Sequence, residues 1–165
     1  MEHATSVPFD TYCETNIFDI IGMSDTGWHL ADFNSDDVAM PYVQRDGKNE
    51  AHGHYGYPDY PDGQLRSSVT DMALFLAAIT NNGRLNGAQV LSAEGTASLL
   101  SPQVPSATDD QFVFWYRTTS AGRDVVGHNG GDIGVAAEMY YDPKTGYGVA
   151  VSYTHLRAHE TDRYL

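Results

Sequence analysis

Only one cysteine, Cys13, occurs in the 165 residues. That excludes an internal disulfide and a thiolate zinc site. Basic residues are scarce: 9 Lys and Arg stand against 22 Asp and Glu, a formal charge of −13. A surface that acidic repels phosphate backbones, so nucleic acid is not an expected partner. No apolar run reaches the roughly 20 residues of a membrane helix, and no membrane span is expected. The opening residues, MEHATSVPFD, lack a basic end followed by an apolar stretch and are not read as a signal peptide. No internal repeat is visible, no residue group calls for a cofactor, and the compartment stays open. What is present is globular composition, 41% hydrophobic and 19% charged. The length suits one domain with a core and is too short for two ordinary ones.

Helical spacing comes first along the chain. Phe9, Tyr12, Cys13, Asn16 and Ile17 fall on one face of a helix expected over residues 7–21. Pro8 suits its first turn, Asp10 lies near the positive end of the dipole, and Gly22 is a natural stop. Residues 25–65 show no sustained period and read as irregular. A connection that long is often functional. Tyr42, Tyr55, Tyr57 and Tyr60 stand toward its end, able either to line a ligand cleft or to anchor the loop to the body. Residues 68–82 give the clearest helix. Ser68 and Asp71 resemble a capping box with Asp in the place of Glu. Val69, Met72, Phe75, Leu76 and Ile79 form its apolar face, and Gly83 closes it. Asn86-Gly87 is a turn, and Ser92 caps a short helix through Leu100 that Pro102 ends.

After Pro105 the period becomes alternating. Strands are expected over 111–118, with Phe112, Phe114 and Tyr116 on one face, and over 123–128, 135–141 and 147–153. Pro143 and Gly146 supply the hairpin between the last two. Helices followed by antiparallel strands is an α+β order, not a parallel wind.

The strongest chemical signal is Gly127-His128-Asn129-Gly130-Gly131-Asp132-Ile133-Gly134, read as the end of a strand. Four glycines in eight residues let a ligand or another backbone come close. His128 offers a donor or proton acceptor near neutral pH. Successive N–H groups there can hold an oxyanion. A glycine-rich turn with an idle, exposed His128 has the same spacing. Other candidates are weaker. His52-Gly53-His54 could meet a metal, and His155 and His159 sit at i, i+4 without the acidic partner of H-E-x-x-H. No metal site is expected from either. Asp36-Asp37 and Asp109-Asp110 read as surface acids.

Three landmarks in order carry a family resemblance. The first is Phe9-Asp10-Thr11-Tyr12 with residues 16–26, NIFDIIGMSDT. The second is residues 61–76, PDGQLRSSVTDMALFL, and the third is Gly127-His128-Asn129-Gly130-Gly131. Together they resemble the β-lactamase-related serine hydrolases, which include class C β-lactamases, penicillin-binding proteins, D-aminopeptidases and esterases. The third landmark is similar to the element written K-T-G in lactamases and H-x-G in many esterase- and aminopeptidase-like members. The resemblance implies an antiparallel sheet flanked by helices beside a helical region, with the active site between them. It implies acyl transfer through a serine ester on a small ester, amide or lactam. His128 would stand where the lactamases have lysine, and Gly131 would donate an oxyanion N–H. Asn129, Gly130 and, from the tyrosine-rich loop, Tyr60 would contact substrate. The histidine version leans toward an esterase- or peptidase-like member.

The departures are specific. Lys48 and Lys144 are the only lysines, and Arg45 and Tyr141 stand three residues before them, so no Ser-x-x-Lys exists. No Tyr-x-Asn exists either. Lys144-Thr145-Gly146 spells K-T-G, but it follows Asp142-Pro143 in a hairpin turn and is set aside. The expectation is that residues 1–151 form the later part of a hydrolase domain without its nucleophile, and that 152–165 are an atypical tail, read as joined-on sequence. The isolated chain would then be inactive. Helix faces and one sheet face would lack partners. The competing expectation is a non-catalytic ligand-binding module of the same fold.

Overall fold

A computed structural model describes residues 1–154. Predicted features at His155 and His159, and most of the expected tail, lie outside the described residues. After a short exposed α1 (Glu2–Thr5), helix α2 (Phe9–Cys13) starts at Phe9, with Pro8 as its N-cap. The helix does not run on regularly. A π-helical turn, Glu14–Phe18, leads into α3 (Asp19–Ile21), and Gly22 at φ 80° ends it. The wider turn shifts the phase of the faces. Cys13, Phe18 and Ile21 are buried, while Asn16, expected on the apolar face, is exposed.

Residues 25–65 are less irregular than expected. They contain a hairpin of β1 (Tyr42–Arg45) and β2 (Lys48–Ala51), paired from Tyr42↔Ala51 to Arg45↔Lys48. Asp46-Gly47 turns it with both φ values positive, 47° and 76°. Asp-Gly is a strong hairpin signal, here flanked by strands too polar to show alternation. The ends of the long segment are tied together by a two-bond bridge between Gly27 and Arg66, at 2.9 and 2.8 Å.

Helix α4 (Val69–Thr80) is capped by Ser68, whose hydroxyl accepts the N–H of Asp71 at 3.1 Å. The reciprocal half of the expected box is absent. The Asp71 carboxylate instead accepts from the backbone N–H of Asp25 and the hydroxyl of Thr26, at 2.8 and 2.7 Å. The tight hairpin of β3 (Arg84–Leu85) and β4 (Ala88–Gln89) turns at Asn86-Gly87, and α5 (Ala93–Leu99) is capped by Ser92.

The main sheet is antiparallel, in the order β5 (Tyr116–Ser120), β6 (Arg123–Asp132), β7 (Val135–Tyr141), β8 (Gly148–Tyr153). The strand expected from Gln111 starts only at Tyr116. Before it, Phe112 N–H donates to the Trp115 carbonyl at 2.8 Å, and Phe114 takes φ 63°. This turn buries both Phe112 and Trp115, which strand alternation would have put on opposite faces, and leaves Phe114 82% exposed. The expected Phe112–Phe114–Tyr116 face therefore does not form. Strand β8 includes Ser152 and Tyr153, which pair with Ala137 and Ala136. The sheet thus extends two residues into the expected tail.

Helix α4 joins two cores. Ala78 packs with Cys13, Phe18, Ile21, Met23 and Trp28. Leu76 and Ile79 pack with Phe112, Trp115, Val126 and Met139 of the sheet layer. Both helices thus have partners among the described residues, while Ile20 and Val69 stay 39% and 48% exposed. The sheet face away from α4 is barer: Val149 is 54% and Val151 43% exposed.

Candidate functional site

Strand β6 carries the glycine-rich run, and it is longer than the sequence suggested. Residues 128–132 do not turn. They pair with β7 from His128↔Met139 to Asp132↔Val135, and the turn falls at Ile133-Gly134. Gly130 and Gly131 lie opposite Ala137 and Ala136, so small residues face each other across the ladder. Two glycines are required by contact. A Cβ at Gly127 would sit 1.9 Å from the Met139 carbonyl oxygen. At Gly134, φ 73°, it would meet the Tyr42 backbone at 2.6 Å.

On its other side β6 has a partner only part of the way. Strand β5 pairs with residues 123–127, from Ser120↔Arg123 to Tyr116↔Gly127. Residues 128–132 extend beyond it, with no described strand on that edge. In an antiparallel strand, alternate residues aim both N–H and C=O sideways at the same neighbour. The overhang thus presents backbone donors and acceptors along a free edge. Cβ atoms added at Gly130 or Gly131 would meet nothing within 4 Å.

The side chains at this edge are connected. The His128 side chain is exposed, and its Nδ1 bonds the Asn129 carbonyl oxygen. That oxygen can only accept, so the neutral ring carries its proton on Nδ1 and leaves the Nε2 lone pair free. The His128 and Tyr116 ring centroids are 5.5 Å apart. Tyr116 Oη donates to Asn129 Oδ1 at 2.8 Å and lies 2.5 Å from Tyr140 Oη. Tyr116 begins β5 and marks the point where the edge opens. The sequence placed it in a strand without singling it out, because cross-strand register cannot be read from one strand.

His128, Asn129, Gly130 and Gly131 are therefore together on one strand. Tyr60 is elsewhere. Its ring packs against Phe9, Trp28 and His29, with centroids 6.2, 6.1 and 5.1 Å apart. Burial, reinforced by the nearby Asp10 charge, raises the pKa of its hydroxyl. These are the contacts of a loop anchor. Lys144 of the literal K-T-G lies in the β7–β8 turn, 3.6 Å from Asp124 near the start of β6. Seven strand residues, roughly 23 Å, separate Asp124 from Gly131.

A second feature borders the turn after β6. His29, Leu30, His54, Tyr55, Gly56, Gln64 and Arg66 line an open hollow of about 250 Å³. Tyr55 Oη donates to the Ile133 carbonyl at 2.8 Å, seating this loop on the β6–β7 turn. Arg66 spends its guanidinium on the carbonyls of Trp28 and Tyr55, at 2.8 and 2.7 Å. His29 Nε2 meets Asp10 at 3.2 Å, and a backbone bond from Thr11 together with this histidine lowers the pKa of Asp10. Among the described residues no group of three or more His, Cys, Asp or Glu is placed to hold a metal ion. No described helix is long and apolar enough to cross a membrane.

The family model described as Beta-lactamase matches residues 1–165. No curated protein matches the chain. A penicillin-binding protein from Bacillus halodurans superposes with a TM-score of 0.76 at 23% identity, over 96% of this chain and 49% of its own. The octameric penicillin-binding protein homologue from Pyrococcus abyssi gives 0.72 at 23%, over 93% of this chain and 35% of its own. The D-amino acid amidase from Ochrobactrum anthropi SV3, complexed with L-phenylalanine amide, gives 0.74 at 19%, over 93% and 46%. These likenesses establish the fold, and the chain spans between about a third and a half of each of these structures.

Proposed function

From a chain that belongs to the beta-lactamase family, with its serine-hydrolase fold, we propose a specific part of the machinery. The chain supplies the strand-lined wall of an acyl-transfer site, and the attacking serine comes from residues outside it. The observation that carries this reading is the free edge of β6 at residues 128–132, beyond the end of β5. The Ser-x-x-Lys and Tyr-x-Asn of the related hydrolases are absent from the sequence. The D-amino acid amidase among the neighbours supports a small amide as substrate and the penicillin-binding protein a β-lactam, and an ester would react by the same acyl transfer.

In this reading the substrate lies along the free edge as an added strand, exchanging backbone hydrogen bonds with β6. The serine oxygen attacks the carbonyl carbon, a C–O bond forms, and the π pair moves onto the carbonyl oxygen. The N–H of Gly131 points at that oxygen, and one such donor is worth about 3 kcal/mol in the transition state. When the tetrahedral centre collapses, the leaving group departs with a proton, leaving an acyl ester that water hydrolyses. His128, with Nε2 free, stands where a proton can be taken from or returned to the reacting groups. Asn129 and Gly130 contact the substrate.

The purified chain, mixed with a chromogenic ester or cephalosporin, is expected to give no burst and no acyl adduct by intact-mass spectrometry. An adduct on one of its own serines would overturn the division of labour proposed here.

A further inference from the structure

The hydroxyl of Tyr116 has one hydrogen, and it goes to an acceptor, Asn129 Oδ1, at 2.8 Å. The 2.5 Å contact with Tyr140 is then a bond in which Tyr140 donates and Tyr116 accepts. The hydrogen bonds run in one direction: Tyr140 to Tyr116 to Asn129. Cross-strand register brings the two phenols together, since Tyr116 and Tyr140 are both opposite Gly127, one on each side of β6. Asn129, two residues on, shares their face. Gly127 has no side chain to separate the two phenols.

The consequence falls on Asn129. With Oδ1 taken, its amide plane is set, and both Nδ2 hydrogens point away from the tyrosines. Among the described residues Nδ2 has no partner. Gly131 shares this strand face, and a Cβ there would meet open space. A carboxamide free to flip would offer a ligand an oxygen half of the time. One held by Tyr116 offers donors only.

We propose that Tyr116, backed by Tyr140, is a positioning residue that holds the Asn129 carboxamide with its N–H groups toward the substrate edge. The site thereby selects ligands that place a carbonyl or carboxylate oxygen beside Asn129. This rests on the acyl-transfer reading for the identity of the ligand. The orientation of the amide does not depend on it.

The test uses this chain, isotopically labelled, observed by NMR. In the free protein, Tyr116→Phe is expected to shift the Asn129 side-chain amide signals and speed their exchange with water. Tyr140→Phe gives a smaller change of the same sign. Unchanged Asn129 signals in a folded Tyr116→Phe chain would overturn the proposal, whatever the fate of the acyl-transfer reading. Three probes are then titrated to about 20 mM, a range that detects millimolar affinity: D-phenylalanine amide, D-phenylalanine and phenethylamine. The oxygen-bearing probes are expected to move the Asn129 Nδ2 signals, and Tyr116→Phe to weaken them about tenfold. Asn129→Asp keeps the tyrosine chain, since its carboxylate still accepts, yet loses the donors and the binding. Response to the amide alone, or to D-phenylalanine alone, identifies which oxygen is read. An equal response to phenethylamine, or none to either oxygen-bearing probe, would overturn the selectivity.

Discussion

The carboxylate of Asp71 holds the backbone N–H of Asp25 at 2.8 Å across a gap of 46 residues. The same oxygen takes the hydroxyl of Thr26 at 2.7 Å, and Asp71 is 3% exposed. This pins the turn after α3 to the first turn of α4. Asp71→Ala strands the partly buried Asp25 N–H, while the Thr26 hydroxyl keeps Ser67 Oγ at 2.7 Å, a loss of about 1–3 kcal/mol. Urea denaturation of the two proteins measures it. Asp71→Asn, which keeps one acceptor, should recover part of the loss. A midpoint for Asp71→Ala equal to the parent's would show that the pin does not contribute.

Two glycines of β6 should respond differently to the same change. Gly127→Ala drives a methyl into the β7 backbone at Met139 and Tyr140, where neither partner can yield. Destabilisation of about 3 kcal/mol is expected. Gly130→Ala faces open space and should stay within about 0.5 kcal/mol of the parent. Thermal melting of both variants decides the matter. Equal costs would mean that the β6–β7 approach is not as close as described.

Acid should act through Asp142, which is 8% exposed at the start of the β7–β8 turn. Its Oδ1 accepts the Lys144 N–H at 2.7 Å, and Arg123 lies 3.4 Å from Oδ2. The Lys144 backbone bond, with smaller help from Thr145 and Arg123, holds its pKa below the usual 3.8. A lowered folded-state value means the stabilisation is complete above the unfolded value. It fades as pH falls from 3.8 through the folded value. Asp142→Asn should therefore lower the melting temperature at pH 7, and the difference should shrink in that acid window. A difference that grew on acidification would contradict the sign.

The outer face of β8 should be adhesive. Val149 and Val151 are exposed on the same face, and β8 is last in the sheet order. An exposed apolar strip on the outermost strand of the described sheet favours association between copies. The double change Val149→Lys and Val151→Lys should reduce both dye binding and concentration-dependent scattering, with little effect on the melting midpoint. Unaltered scattering would place the sticky surface elsewhere.

Much of this architecture is written in local pattern. Ser68 and Ser92 as caps, Asn86-Gly87 as a turn and the span of β7 are all settled within a few residues, where capping and alternation act. What escaped the sequence is non-local. The π-helical turn at Glu14–Phe18 exists because burying Phe18 among Trp28 and Ala78, distant in sequence, outweighs regular helical hydrogen bonding. The turn at Phe114 exists because the core needs both Phe112 and Trp115. The grouping of His128, Asn129, Gly130 and Gly131 was legible because one strand holds all four. Tyr116 and Tyr140 were not, because their place beside Gly127 depends on the register of three strands. Tyr60 was readable as an aromatic in a long loop, but its contacts with Phe9 and Trp28 were not.

The edge of β6 is proposed to serve a nucleophile encoded elsewhere in the same protein. Sequencing the locus upstream of the codon for Met1 measures this most directly. The expected result is an open frame continuing upstream that encodes Ser-x-x-Lys and, after it, Tyr-x-Asn, joined to this chain without a stop. An in-frame stop codon just ahead of Met1, or a long upstream frame with neither motif, would contradict it.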